Sequence, residues 1–189
     1  MPGVLVIVSG PSGVGKTTIC KQLMRRLDAF LSVSATTRPR RDNEVHGEDY
    51  YFIALDEFER RLAAGDFLEH AKVYGGQYYG TPGGPVHENL EAGKVVILEI
   101  DIEGTLQVMR RYPDAVSIYI LAPTAEDLQG RLIGRQKDSA DAIRERLSKA
   151  DGEIRYAYDC KVYKHFLVNR TVEQTVEQIV QIVGDKQKA

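Results

Sequence analysis

Cysteine is scarce in this 189-residue chain: Cys20 and Cys160 are the only two, too few and too far apart for a disulfide framework or a paired-thiolate zinc site. They read as small, partly buried apolar side chains of a protein kept in a reducing cytoplasm. Net charge is equally slight. Twenty-five Lys and Arg against 27 Asp and Glu leave a formal charge of -2, so no overall basic field gathers nucleic acid or an anionic membrane, and any polyanion site must be local. Long hydrophobic runs are missing too. Val4 to Val8, the longest near the start, is far short of the roughly 20 residues that span a bilayer, and no Lys or Arg precedes it. Neither a signal peptide nor a membrane anchor is expected, and there is no internal repeat or low-complexity segment. With 43% hydrophobic and 28% charged residues, 7 prolines and 17 glycines, the composition excludes disordered, collagen-like and coiled-coil chains and fits one soluble folded domain.

What is present is an alternation of strands and helices. Val4 to Val8 is β-branched and continuously apolar, the mark of a strand covered on both faces of a parallel sheet. A glycine-rich turn follows, and from Lys16 the residues Ile19, Leu23 and Leu27 repeat every four positions, which predicts a helix to about Arg26. Similar strands are expected at Val95 to Ile100 and Val116 to Leu121, with a shorter one at Phe166 to Val168. Together they predict a three-layer α/β fold with right-handed crossovers. The chain closes on a helical stripe of Val172, Val176, Ile179, Val180 and Val183 after a Thr171 cap. Residues 32 to 82 differ: short Tyr-rich alternating pieces at Asp49 to Ile53 and Leu68 to Tyr74 flank a short helix in which Asp56 is the expected cap and Phe58 and Leu62 face inward, a small β-rich insertion. Residues 123 to 158 read as a helical hairpin through Leu128, Leu132, Ile143, Leu147 and Ile154, with a polar break and mobile tip at Gln136 to Ser139.

Gly10-Pro11-Ser12-Gly13-Val14-Gly15-Lys16-Thr17 matches G-x-x-x-x-G-K-[ST] and sits between a predicted strand and a predicted helix, the context this motif requires. Its glycines let backbone N–H groups ring a phosphate, the helix N-terminus adds its positive end, Lys16 brings a mobile cation and Thr17 a hydroxyl for magnesium. Such a loop implies a bound nucleoside triphosphate and leaves open which reaction follows.

Ser34-Ala35-Thr36-Thr37-Arg38-Pro39-Arg40-Arg41 gathers three arginines, with Gly47-Glu48-Asp49-Tyr50-Tyr51-Phe52 close behind. Arg38 and Arg41 can fork onto phosphate oxygens and tyrosine hydroxyls can add neutral donors, although a solvated basic turn has the same composition. Phe67-Leu68-Glu69-His70-Ala71, Tyr78-Tyr79-Gly80-Thr81-Pro82 and the strand end Leu98-Glu99-Ile100-Asp101 come next.

With the phosphate loop, S-A-T-T-R-x-x-R, E-x-x-G-x-D-Y-x-F, F-L-E-x-A, Y-Y-G-T-P, I-L-E-I-D and L-x-x-R-L-x-x-R ahead of I-x-x-R-L, the chain resembles the guanylate kinases over nearly its whole length. The resemblance implies a P-loop NTPase core with a parallel sheet, a small β-rich GMP-binding insertion and a helical lid. It implies transfer of the γ-phosphoryl group of ATP to GMP, and dGMP as well, giving ADP and GDP in purine nucleotide metabolism. Residues 1–31, 83–124 and 148–189 would be the core, 32–82 the GMP-binding region and 125–147 the lid. The GMP phosphate would fall to Arg38, Arg41, Tyr50 and Tyr79, and guanine to Ser34, Glu69, Thr81 and Asp101. ATP would fall to Gly10 through Thr17, with Asn169 near the adenine. Mg²⁺ would be held with ATP by Thr17 and by Glu99, where the family often has Asp. Lys16, Arg131, Arg135 and Arg146 would serve the moving phosphoryl group. The partners implied are ATP and GMP, and a homo-oligomer is left open.

Elementary chemistry agrees with those roles. Guanine offers two donors, N1–H and the exocyclic amine, beside the O6 acceptor, so a carboxylate such as Glu69 accepts the pair while a hydroxyl of Ser34 or Thr81 donates to O6. Adenine reverses the pattern, and a mismatch left buried can support discrimination of about 10⁴. The acceptor phosphate is already anionic, so the transfer needs alignment and cations rather than a nucleophile or strong base. Accordingly His46, His70, His87 and His165, which lack metal-ligand spacing and a neighbouring Ser or Cys nucleophile, read as surface or packing residues. Arg131 and Arg135, four apart on one helix face, can reach a shared phosphate chain. The alternative is a guanylate-kinase-like protein-interaction module, but such modules lose the phosphate loop, and here Gly10, Gly15, Lys16 and Thr17 are intact.

Overall fold

The computed structural model describes residues 3–72, 76–133 and 140–188, with the backbone alone at 132–133 and 140–149. The elements run β1 (Val4–Ser9), α1 (Lys16–Arg26), β2 (Phe30–Leu31), β3 (Ala35–Thr36), β4 (Tyr51–Phe52), α2 (Leu55–Ala63), β5 (Phe67–Lys72), β6 (Tyr78–Pro82), α3 (Gly83–Glu91), β7 (Val95–Glu99), α4 (Ile102–Arg111), β8 (Val116–Leu121), α5 (Ala125–Ile133), α6 (Ala140–Asp159), β9 (His165–Val168) and α7 (Val172–Lys188).

Five strands pair in parallel in the order β2-β7-β1-β8-β9. Every residue of β1 is buried, and the period of two explains why an unbroken apolar run is needed there. Val4, Val6 and Val8 pack with Ile19 and Leu23 of α1 and with Val176, Ile179 and Val183 of α7. Leu5 and Ile7 turn to the opposite face, toward Val86 of α3 and Val108 of α4. A polar residue at any of these positions would forfeit about 1.5–3 kcal/mol of burial. The chain leaves β1 in one direction to β2 and returns through β7 and β8 on its two flanks, so the crevice at the carboxyl ends of these strands is where an α/β sheet of this kind takes its ligands.

The second sheet, in the order β4-β3-β6-β5, lies wholly within the stretch read as β-rich. Its small core joins Ala35, Phe58 and Phe67, the two rings stacked with centroids 4.4 Å apart. Asp56 is not the cap of α2: Ala54 holds that position without a side-chain bond, and Asp56 falls in the first turn, where its charge favours the positive helix end. The Thr171 cap forms as expected, its hydroxyl accepting from the Gln174 N–H at 3.3 Å. Gln136 to Ser139 lie outside the described residues.

Candidate active site

The loop from Gly10 to Gly15 joins β1 to α1, and Gly10, Gly13 and Gly15 all have positive φ. Gly15 has two reasons to be glycine: its φ is 101°, and a Cβ there would lie 2.9 Å from Asn169 Nδ2. The Lys16 ammonium spans the loop, donating to the Gly10 carbonyl at 2.6 Å and the Pro11 carbonyl at 3.1 Å. Thr17 donates from Oγ1 to Glu99 Oε1 at 2.8 Å across the ends of α1 and β7. Oxygen donors of this kind, one hydroxyl and one carboxylate beside a phosphate loop, suit Mg²⁺, which takes few protein ligands and keeps waters and phosphate oxygens for the remainder.

Asn169 and Arg131 hold this loop from behind. Val14 is fully buried, and its carbonyl accepts from Asn169 Nδ2 at 2.8 Å and from Arg131 Nη1 at 3.1 Å. Arg131 Nη2 donates to the Asn169 carbonyl at 2.9 Å, and Asn169 Oδ1 accepts from Thr175 Oγ1 at 3.0 Å. Both ends of the Asn169 amide are therefore engaged, and the side chain faces the loop. Two positions linked by resemblance to adenine and to the moving phosphoryl group thus act here on the backbone of the phosphate loop. Replacing Asn169 by Ala leaves Thr175 and Val14 each one buried bond short, a cost of about 2 kcal/mol. The expected result is a melting temperature lower by about 4–8 °C, with KM for ATP raised more than KM for GMP, read by thermal denaturation and steady-state kinetics.

Within the second sheet and the segment before β4, Arg38, Tyr50 and Tyr79 come together. Arg38 donates from Nε to the Tyr79 hydroxyl at 3.0 Å, its guanidinium lies 5.5 Å from the Tyr50 ring centroid, and the Tyr50 and Tyr79 rings meet edge to face at 5.7 Å. A residue that sequence reading left without a role organises this cluster. Glu44 accepts from Arg38 Nη1 at 2.9 Å and Nη2 at 2.7 Å, and from the Arg41 backbone N–H at 2.8 Å. With only 11% and 13% of the two side chains exposed, this forked pair is stronger than a surface ion pair, and it draws the Glu44 carboxyl below its ordinary range, chiefly through the Arg38 bonds. The signal available in sequence was an acid six positions after Arg38 and three after Arg41. Arg41 is exposed. His46 proves to be structural: its Nδ1 accepts from the Phe52 N–H at 3.2 Å.

The residues expected to take guanine include a chain of three groups. Thr81 donates from Oγ1 to Glu69 Oε1 at 2.5 Å, and Ser34 Oγ lies 3.3 Å from Thr81 Oγ1. With Glu69 ionised, the one proton of Thr81 goes to it and Ser34 is the donor to Thr81. Glu69 is 5% exposed. Burial pushes its carboxyl up to about 7, the charge of Asp101 adds to the rise, and the Thr81 bonds oppose it. Asp101 caps α4, its Oδ1 accepting from the Gly104 N–H at 2.8 Å, and it is itself exposed. The two halves of the crevice sense each other: the Tyr50 hydroxyl is raised first by burial and then by the charge of Glu99, the partner of Thr17. Arg135 lies outside the described residues, and of Arg146 only the backbone is described.

The structure thus presents a glycine-rich loop with Lys16, a guanidinium-tyrosine cluster whose Tyr50 feels the charge of Glu99 beside that loop, and a buried carboxylate at Glu69. Comparison with known proteins gives the same direction. The guanylate kinase family model matches residues 3–186. The chain is similar to the guanylate kinase of Clostridium acetobutylicum, 46% identical over 181 residues that cover 96% of this chain and 85% of the relative. It is also similar to that of Fusobacterium nucleatum, 42% identical over 181 residues covering 96% of both. Among solved structures, guanylate kinase from Anaplasma phagocytophilum superposes with a TM-score of 0.81 at 33% identity, covering 100% of this chain and 88% of that one.

Proposed function

Because this chain belongs to the guanylate kinase family and is a kinase that moves the γ-phosphoryl group of ATP to GMP, we propose how its side chains divide that work. The observation that carries the proposal is the Ser34, Thr81 and Glu69 chain, in which Thr81 and Glu69 are buried, because an ionised, desolvated carboxylate suits the two adjacent donors of guanine and rejects adenine. Asp101 assists at the same edge. Its position at the α4 cap keeps its carboxylate fixed. The GMP phosphate docks on Arg38, Arg41, Tyr50 and Tyr79, with Glu44 holding the Arg38 fork in orientation. For a hydroxyl of Ser34 or Thr81 to donate to O6, the existing relay has to turn, so guanine binding rearranges its protons.

On the donor side, Gly10 to Gly15 offer N–H groups to the ATP phosphates. Lys16, already seated over the loop, meets the β- and γ-phosphates, and Arg131 and Asn169 keep the loop in shape. Thr17 and Glu99 would hold Mg²⁺, which neutralises charge on the phosphate chain when bound. Arg135 and Arg146 complete the cationic surround from the lid on this reading. The acceptor oxygen is anionic, so no side chain has to remove a proton, and alignment of two polyanions within a water-poor crevice does most of the catalysis.

The same division assigns residues 1–31, 83–124 and 148–189 to a core, 32–82 to a GMP-binding region and 125–147 to a lid. It is supported by the confinement of the four-stranded sheet to the second of these and by β2 joining the core sheet. dGMP should serve as an acceptor, since the residues assigned touch base and phosphate and not the sugar. No helix among the described residues is long and apolar enough to cross a membrane, and the two free thiols suit a reducing cytoplasm, where GMP would be recycled. The metal assignment is tested by turnover in excess EDTA and by the magnesium dependence of Thr17→Ala. Chelation should abolish transfer, and the variant should need about tenfold more magnesium for half-maximal rate; an unchanged requirement would remove Thr17 and Glu99 from this role.

A further inference from the structure

Helix α4 does more than present Asp101. Two of its residues, Gly104 and Gln107, lie one turn apart on the face that meets β5, the strand carrying Glu69. β5 is the edge strand of its sheet, so the outward N–H and C=O groups of its backbone need partners. Gln107 supplies both for His70, the residue after Glu69. Its Oε1 accepts from the His70 N–H at 3.1 Å and its Nε2 donates to the His70 carbonyl at 2.7 Å. One side-chain amide thus stands in for the peptide of a further strand.

Gly104 acts on the Glu69 side chain itself. A Cβ at this position would lie 2.6 Å from Glu69 Oε2 and 3.1 Å from its carboxyl carbon, closer than a methyl group and an oxygen can approach. The β5–β6 register also shifts between Phe67 and Glu69, and an irregularity of this kind re-aims the side chain beside it. A re-aimed, buried carboxylate bound at one oxygen by Thr81 still needs its backbone and its other oxygen confined. Gln107 fixes the first and Gly104 makes room for the second.

We infer that Gly104 and Gln107 are specificity-positioning residues, which set the depth and angle of the Glu69 carboxylate so that it meets both guanine donors at once. The inference rests on Glu69 reading guanine and adds what holds it there. Gln107 acts through the backbone beside Glu69, and Gly104 acts through the Glu69 carboxylate, while its N–H also holds Asp101 Oδ1 at 2.8 Å. Small displacements of a two-point contact cost more than loss of packing, because the second bond fails before the first.

The test compares GMP with inosine monophosphate, which lacks only the 2-amino group and so reports the second contact alone. Gln107→Met keeps the length of the side chain and loses both bonds; Gly104→Ala leaves Gln107 intact and displaces the carboxylate. Each is expected to lower the ratio of kcat/KM for GMP to that for inosine monophosphate by about tenfold, through KM for the acceptor, with KM for ATP unchanged. Glu69→Gln, measured beside them, separates the two claims. If Glu69→Gln lowers the ratio and both folded variants leave it at the wild-type value, the positioning roles are overturned while the reading of Glu69 stands. If Glu69→Gln leaves the ratio unchanged, both fall. Should Gln107→Met fail to fold, Gly104→Ala alone decides.

Discussion

Lys16→Met is expected to lower kcat by about 10³-fold or more while the protein melts within a few degrees of the wild type. The large kinetic effect follows from the position of the ammonium, 2.6 and 3.1 Å from two carbonyls of the loop proposed to take the ATP phosphates. Methionine keeps most of the length and removes the only loop cation from a site where charge accumulates on the transferring group. The small stability effect follows because the carbonyls released, those of Gly10 and Pro11, belong to a partly open loop whose rear is still braced by Asn169 and Arg131. Coupled detection of ADP and a thermal melt measure the two quantities. Turnover near the wild-type rate would remove Lys16 from the donor site.

The second large effect is at Glu69. Glu69→Gln replaces one acceptor oxygen by an amide donor facing a guanine donor, and kcat/KM for GMP should fall by about 10³–10⁴-fold, with kcat for ATP-dependent transfer at saturating acceptor reduced far less. The pH dependence follows from burial. The carboxyl titrates near 7 in place of 4.5, and guanine requires the ionised form. Between pH 6 and 8 the ionised fraction rises from about one tenth to about nine tenths, so KM for GMP in the wild type should fall about tenfold over that range. Ionisation of the GMP phosphate contributes in the same direction, and Glu69→Gln, which retains only that contribution, provides the reference slope. Stability moves oppositely. Because the folded carboxyl titrates above its unfolded value, the folded state binds more protons between pH 4.5 and about 7, so stability is lost as pH rises through that window. At pH 8 the ligand-free Glu69→Gln variant should therefore melt above the wild type while binding GMP worse, a trade between stability and recognition. A lower melting temperature with KM for GMP unchanged would contradict the role given to this carboxylate.

Much of this was legible in sequence, and the reasons differ by element. The phosphate loop is local: eight consecutive residues and the strand and helix beside them carry its signature. β1, β7 and β8 are legible because both faces of each are covered, which leaves no polar alternation to confuse the reading. α1 was bounded correctly by its apolar spacing. The Asp56 cap was misplaced by two residues because the chain enters α2 through an extended Ala54, and an acid in a first turn resembles a cap in composition. What sequence did not reveal depends on contacts between distant residues. Asn169 reaches Val14 across 155 positions and Arg131 reaches it across 117, and no local pattern marks a side chain whose partner is a backbone carbonyl that far away. Glu44 carries little local signal of its role, which lies in its two oxygens accepting from Arg38. Gln107 and Gly104 lay in an unremarkable amphipathic helix, and their relation to Glu69 exists only once α4 packs on the edge of β5.

The most direct test of the whole scheme is the acceptor profile: ATP-dependent ADP formation with GMP, dGMP, AMP, CMP and UMP under identical magnesium. Turnover with GMP and dGMP, and rates with AMP lower by about 10⁴-fold in kcat/KM, are predicted from a buried carboxylate facing two donors. Equal use of AMP and GMP, or no GMP-dependent turnover, would contradict it.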